Sequence, residues 1–222
     1  MSTKLFITGT DTDIGKTYIT VGILNAFKKN KYSTLGIKPL ASGCIRNNGT
    51  LQNPDALLLQ QASSILLHYH QINPFAFEPA IAPSIAAAQV NREITVQELR
   101  QKTQYALQHA ADVCLVEGVG GWYVPLNSTE TMADYVKTTG LTALLVVGIR
   151  LGCINHALLT YKAIQQDHVP IVGWIANCVD PKMNYRQENI NTLKERLPIP
   201  CLGIVDYQKK PEDVIDINNL II

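Results

Sequence analysis

The segment "KLFITGTDTDIGKTYITVGILNAFKKN", residues 4–30, constrains the fold more than any other. An apolar run of strand formers ends at Gly9, a polar loop follows, and then Ile19, Ile23, Leu24 and Phe27 recur at three- and four-residue spacing. That pattern predicts a buried strand, a loop and an amphipathic helix. Strand, glycine loop and helix is the context in which a phosphate-binding loop works, because N–H groups at the positive end of the helix cradle phosphate oxygens. The standard form is G-x-x-x-x-G-K-[ST]. Gly15, Lys16 and Thr17 fit it, but residue 10 is Thr10 and the first glycine stands one place earlier, at Gly9. The loop is therefore one residue longer than usual. Lys16 suits the β- and γ-phosphates and Thr17 suits Mg²⁺. The plainer alternative is an ordinary strand-to-helix turn.

The rest of the chain repeats the alternation. "STLGIKPL" reads as a short second strand closed by Pro39, and "ASGCIRNNGTLQNPD", residues 41–55, as a polar loop. "VCLVEG", "TALLVVGI", "VPIVGWIANCV" and "PCLGIV" read as buried strands. "INHALLTYKAIQQ" and "NYRQENINTLKERL" read as helices, and Thr95 with Glu98 makes a capping box that starts another, running to about Asp112. Apolar strands alternating with helices predict an α/β fold over residues 1–222. It is a single P-loop NTPase-like domain whose mostly parallel sheet is covered by helices on both faces.

Composition narrows the function classes. A net charge of +1 supplies no field for nucleic acid or an anionic membrane. No apolar run approaches the ~18 residues of a membrane span. The start, "MSTKLFITG", lacks a basic-then-apolar signal pattern, so a cytoplasmic protein is expected. Five scattered cysteines without a C-x-x-C predict reduced thiols rather than disulfides or a zinc site. His68 and His70 in "LHYH" lack the further ligands that a metal needs.

Several residues can carry chemistry. Asp11 and Asp13 place acids where a triphosphate should lie. This predicts a cation there as well, either Mg²⁺ or a positively charged substrate. Glu117, at a strand's end, is the first candidate carboxylate for Mg²⁺, since ligands gather at the carboxyl ends of strands in open α/β sheets. Asp55 has two readings: a second Mg²⁺ ligand, or the N-cap of a helix over "ALLLQQAS". Lys38, also at a strand end, can face a transferring phosphate, and Ser42 can orient an anion; the alternative for Lys38 is an ordinary surface lysine. "NPFAFEPAIAP", residues 73–83, is either a packed connector or the wall of a pocket for something aliphatic.

Six blocks, "TGTDTDIGKT", "KPLASG", "NPDALLLQ", "LVEGVGGW", "LGCINHALLT" and "GWIAN", resemble in order and spacing those of the ATP-dependent dethiobiotin synthetases. The resemblance covers practically the whole chain, and the longer phosphate loop is a hallmark of that family. It implies a reaction in which one amine of 7,8-diaminononanoate takes up CO₂ as a carbamate, ATP phosphorylates it, and the second amine closes a cyclic urea. It also implies a set of roles. Thr17, Asp55 and Glu117 surround Mg²⁺. Thr12, Lys16, Lys38 and Ser42 surround the carbamate and the γ-phosphate. ATP lies against Asp13, Ile14, Gly15, Lys16, Thr17, Tyr18, Asp55, Glu117, Gly118, Val119 and Gly120. Asn177, followed by Cys178, reads the adenine, with Glu212 on the base or ribose side. Gly152, Cys153, Ile154 and Asn155 open a helix that receives the substrate carboxylate from the neighbouring subunit. The plainer reading of those four is a helix cap; the family reading makes a homodimer with shared sites. The chain departs from the family at Asp13, where Glu is common, and at Asp206–Gln208, "DYQ", where a Pro-aromatic-Leu stretch is usual.

Rivals from other classes fit less well. Partner-regulated P-loop ATPase switches carry K-G-G-x-x-K-[ST], and residues 9–14 contain no lysine. Amide-forming synthetases acting on a corrin ring carry an added glutamine-handling domain, for which 222 residues leave no room. A non-catalytic nucleotide-binding module requires Lys38 to be idle.

Overall fold

A computed structural model describes residues 2–221. The expected strand–loop–helix is present as β1 (Thr3–Gly9) and α1 (Lys16–Lys29), followed by β2 (Thr34–Ile37). A short excursion then runs through β3 (Leu40–Ala41), a hairpin of β4 (Ile45–Asn47) and β5 (Thr50–Gln52), α2 (Pro54–Ala62), α3 (Tyr69–Ile72), β6 (Phe75–Ala76) and α4 (Pro83–Gln89). The remainder is α5 (Val96–Gln108), β7 (Val113–Glu117), α6 (Met132–Thr139), β8 (Thr142–Gly148), α7 (Cys153–Gln166), β9 (Ile171–Asn177), α8 (Arg186–Arg196) and β10 (Cys201–Val205). Two 3₁₀ turns, Pro211–Asp213 and Asn218–Leu220, follow.

The six-stranded sheet has the order β10-β9-β8-β1-β7-β2, and every pairing in it is parallel. From central β1 the chain first goes to one edge, at β2, and later builds the other half through β8 to β10. That reversal opens a crevice at the carboxyl ends of the strands beside β1. Alternate side chains explain the three layers. Leu5 and Ile7 of β1 pack with Ile19, Ile23 and Phe27 of α1 on one face. Phe6, between them, packs on the other face in the cluster that holds Leu99 of α5 and Val136 of α6. Leu145, Val147 and Trp174 continue that second face under α7 and α8.

The structure corrects parts of the sequence reading. The polar loop at 41–55 contains the β4–β5 hairpin, turned by Asn48 and Gly49, both with positive φ (47° and 81°). Such an Asn-Gly pair matches the twist of antiparallel strands. Helix α5 stops at Gln108 rather than Asp112, and α8 starts at Arg186 rather than Asn184. The connector at 73–83 divides between its two readings. Phe75 pairs in register with Leu40, and Phe75 and Phe77 are buried in the core, whereas Ala80–Pro83 face the crevice. All five cysteines are free thiols.

Candidate active site

The phosphate loop accommodates its additional residue by burying Ile14 completely. A Cβ on Gly9 would lie 2.6 Å from Ile14 Cδ1, so glycine there makes room for the plug. Asp13 turns the chain with φ 57°, and Gly15 follows at φ 81°. A side chain on Gly15 would meet Asn177 Nδ2 at 2.2 Å, so both backbone and space require glycine. Asn177, at the end of β9, donates Nδ2–H to the Ile14 carbonyl at 2.8 Å. Because that carbonyl only accepts, the amide's oxygen points elsewhere.

Lys16 begins α1, is buried, and donates from Nζ to the Asp11 carbonyl at 2.7 Å. Burial, with nearby Lys38 adding to it, lowers its pKa to about 8. Thr17 donates its hydroxyl to Glu117 Oε1 at 2.7 Å. Lys38, just past β2, donates to the same oxygen at 2.5 Å and to Asp55 Oδ2 at 2.9 Å. Burial alone would push the Lys38 ammonium down, but the carboxylates of Glu117 and Asp55 outweigh it and hold its pKa above the ordinary value. The surface-lysine reading of Lys38 is therefore overturned: its side chain is 6% exposed. Glu117 is itself 1% exposed, and its second oxygen, Oε2, is buried without a hydrogen-bond partner among the described residues.

The cap reading of Asp55 is overturned too. Asn53 is the N-cap of α2, its Oδ1 accepting from the N–H groups of Asp55 (3.1 Å) and Ala56 (3.3 Å). Pro54 takes the first helical position, where its missing N–H costs nothing. The Asp55 carboxylate is thereby left for Lys38. Three residues that the sequence reading missed hold this corner. Asn73, buried, donates to the Lys38 carbonyl at 2.6 Å and accepts from the Tyr69 hydroxyl at 2.9 Å. The Tyr69 oxygen in turn accepts the Asn53 N–H at 2.7 Å. Only the Asn-Pro-Asp start of α2 was a visible signal.

Lys38, Asp55, Glu117 and the phosphate loop border a cleft of about 890 Å³. Thr12, Asp13, Gly15, Lys16, Thr17, Lys38, Ser42, Asp55, Glu117, Val119 and Gly120 meet there, with Ile81, Pro83, Val124 and Pro125 as an apolar wall. Other predicted residues do not line it. Ile14 lies buried under the loop. Gly118 is packed so tightly that a Cβ would lie 2.7 Å from Phe6 Cζ. Cys178 is buried next to Asn177. Tyr18 donates its hydroxyl to the Lys209 carbonyl at 2.6 Å, and burial, with Glu212 second, raises its pKa. Glu212 is 3.9 Å from Lys29. Gly152 caps α7 with φ 93°; Cys153 is buried, whereas Gly152 and Asn155 are exposed at that helix start, outside this cleft. Asp11, one of the two loop acids, pairs with this chain's own Arg150, whereas Asp13 lies on the cleft wall. His68 and His70 stack as rings 5.7 Å apart, and no group of three or more His, Cys, Asp or Glu able to hold a metal occurs among the described residues.

Residues 3–213 match the family model described as an AAA domain. The ATP-dependent dethiobiotin synthetase BioD of Cellvibrio japonicus is 52% identical over 206 residues, covering 92% of this chain and 90% of its own. The enzyme of the same name from Aeromonas salmonicida is 42% identical over 211 residues, covering 95% and 93%. Among solved structures, the septum site-determining protein MinD from Pyrococcus horikoshii superposes with a TM-score of 0.58 at 13% identity, covering 93% of this chain and 82% of its own. The cell division protein FtsY from Thermotoga maritima gives 0.56 at 15%, covering 100% and 67%. At such low identity these two speak only for the P-loop NTPase fold. With identity near one half along almost its full length, this chain belongs to the ATP-dependent dethiobiotin synthetases.

Proposed function

We propose that the cleft closes the cyclic urea of dethiobiotin from 7,8-diaminononanoate, CO₂ and ATP, releasing ADP and phosphate, as a step of biotin synthesis. The observation that carries this reading is the buried Lys38, held charged between Glu117 and Asp55 in a cleft shared with the phosphate loop. One amine captures CO₂ as a carbamate and loses a proton. A carbamate oxygen attacks the γ-phosphorus, ADP leaves, and a carbamic-phosphoric anhydride forms. The second amine attacks the carbonyl carbon and gives up a proton, the C–O bond to the phosphoryl group breaks, and the ring closes as phosphate departs. Charge grows on the transferring oxygens in the middle step, and Lys16 and Lys38 are positioned cations that stabilise it. Thr12 and Ser42 orient the carbamate. Asp13 lies on the cleft wall, an acid suited either to Mg²⁺ or to a positively charged substrate group. Ile81, Pro83, Val124 and Pro125 shield the hydrocarbon chain.

Mg²⁺ fits the donors present. The Thr17 hydroxyl, Asp55, and Glu117 with its unpartnered oxygen would hold it, and it would neutralise phosphate charge there. The substrate carboxylate, far from the amines, goes to the exposed start of α7, Gly152–Asn155, on the second subunit of a homodimer. Free thiols fit a reducing cytoplasm. A partner-regulated ATPase switch is not favoured, since the loop lacks the early lysine. Phosphate release from ATP, measured with and without the diamine and bicarbonate, tests the reading. Release should need both; release indifferent to both would sink it.

A further inference from the structure

The phosphate loop carries two carboxylates where a triphosphate binds, and like charges so close repel. Asp13 faces the cleft. Asp11 does not: one of its oxygens, Oδ1, accepts the Thr12 N–H at 2.8 Å, a local bond that shapes the lengthened loop. Its backbone carbonyl accepts Lys16 Nζ at 2.7 Å. Its other oxygen accepts from Arg150 Nη2. Arg150 stands just past β8, on a segment fixed by the Ile149 N–H bond to the Asn177 carbonyl at 2.7 Å. The loop itself hangs from β8 by the Thr10 N–H bond to Val146. Arg150 has no other ion pair among the described residues and is not part of the cleft lining.

We propose that Arg150 is a positioning residue that makes an acidic phosphate loop compatible with ATP. Its guanidinium cancels the Asp11 charge and anchors that carboxylate beside β8. Asp11 can then shape the loop through Thr12 and Lys16 without repelling the polyphosphate. The inference rests on the reading that ATP binds this loop.

ATP binding by calorimetry, with no diamine present, tests it on Arg150→Gln, Arg150→Lys, Asp11→Asn and the double variant Asp11→Asn/Arg150→Gln. Arg150→Gln should weaken ATP binding about tenfold, the size of one uncompensated charge beside the site, and the loss should shrink at high salt. Arg150→Lys should bind like the wild type. The double variant should recover most of the loss, because the repelling charge is gone. In turnover assays, Arg150→Gln should raise the KM for ATP with little change in kcat. Unchanged ATP binding in Arg150→Gln would overturn the proposal. So would a double variant as weak as Arg150→Gln, which would mean that Arg150 touches the phosphates directly. Should Arg150→Gln fail to fold, Asp11→Asn alone still decides: it should not weaken ATP binding, and weakening would refute the role. Wild-type protein that bound no ATP would sink the underlying reading instead.

Discussion

Lys16 and Lys38 are both buried ammonium groups, yet their surroundings push them in opposite directions. Lys38 has two carboxylates and stays charged, so Lys38→Gln should lower kcat by ~10²–10³, the usual cost of removing one transition-state donor. ATP binding by calorimetry should change little, and near-normal turnover would exclude Lys38 from the chemistry. Among the described residues the Lys16 ammonium has only a carbonyl as hydrogen-bond partner, and burial brings its pKa to about 8. Two pH effects follow. A folded pKa below the unfolded value of 10.5 means that the unfolded chain binds more protons between about 8 and 10.5. This group's contribution to stability therefore rises with pH across that window. An arriving triphosphate favours the ammonium form, so ATP binding near pH 8 should take up protons. Calorimetry in buffers of different ionisation enthalpy should show that uptake; its absence would mean that Lys16 is already fully charged in the free protein.

At the scale of elements, α2 shows how a cap and a site residue divide one helix start. Asn53 satisfies the first N–H groups and Asp55 is freed to face Lys38. Asp55→Asn should leave the melting temperature nearly unchanged but shift the Mg²⁺ dependence of turnover to higher concentration. A wild-type Mg²⁺ titration would reject a metal role for Asp55. Asn53→Ala should behave differently: it should cost about 1 kcal/mol of stability through the lost cap, visible in denaturant melts.

For the whole molecule, the decisive question is whether two chains build each site. Lys38→Gln disables the chemistry within one chain's cleft. Asn155→Asp places a negative charge at the α7 start and should raise the KM for the diamine with little effect on ATP. If the α7 start serves the partner's cleft, mixing the two variants gives heterodimers with one doubly damaged site and one intact site. Random pairing should then recover about a quarter of all sites, as twofold symmetry requires. Heterodimers detected by mass spectrometry without any recovered activity would place both residues in one chain's site.

The sequence by itself determined the sheet, the phosphate loop and the family. Continuous apolar strands alternating with 3.6-period helices leave few ways to bury both faces of a sheet, and glycines at 9 and 15 bound a loop of one length. It also placed Lys16, Thr17, Lys38 and Glu117 at strand and helix ends, which converge in any parallel sheet. Only the tertiary structure decided which charges pair. Arg150 and Asp11 are far apart in the chain, as are Lys38 and Glu117, and their meeting depends on which strands neighbour β1. The Asn53–Tyr69 and Asn73–Lys38 links were invisible for the same reason: these bonds join segments 16 and 35 residues apart that no local pattern relates. Local periodicity reports which face a residue turns to the core; who stands opposite is set by the order of the strands.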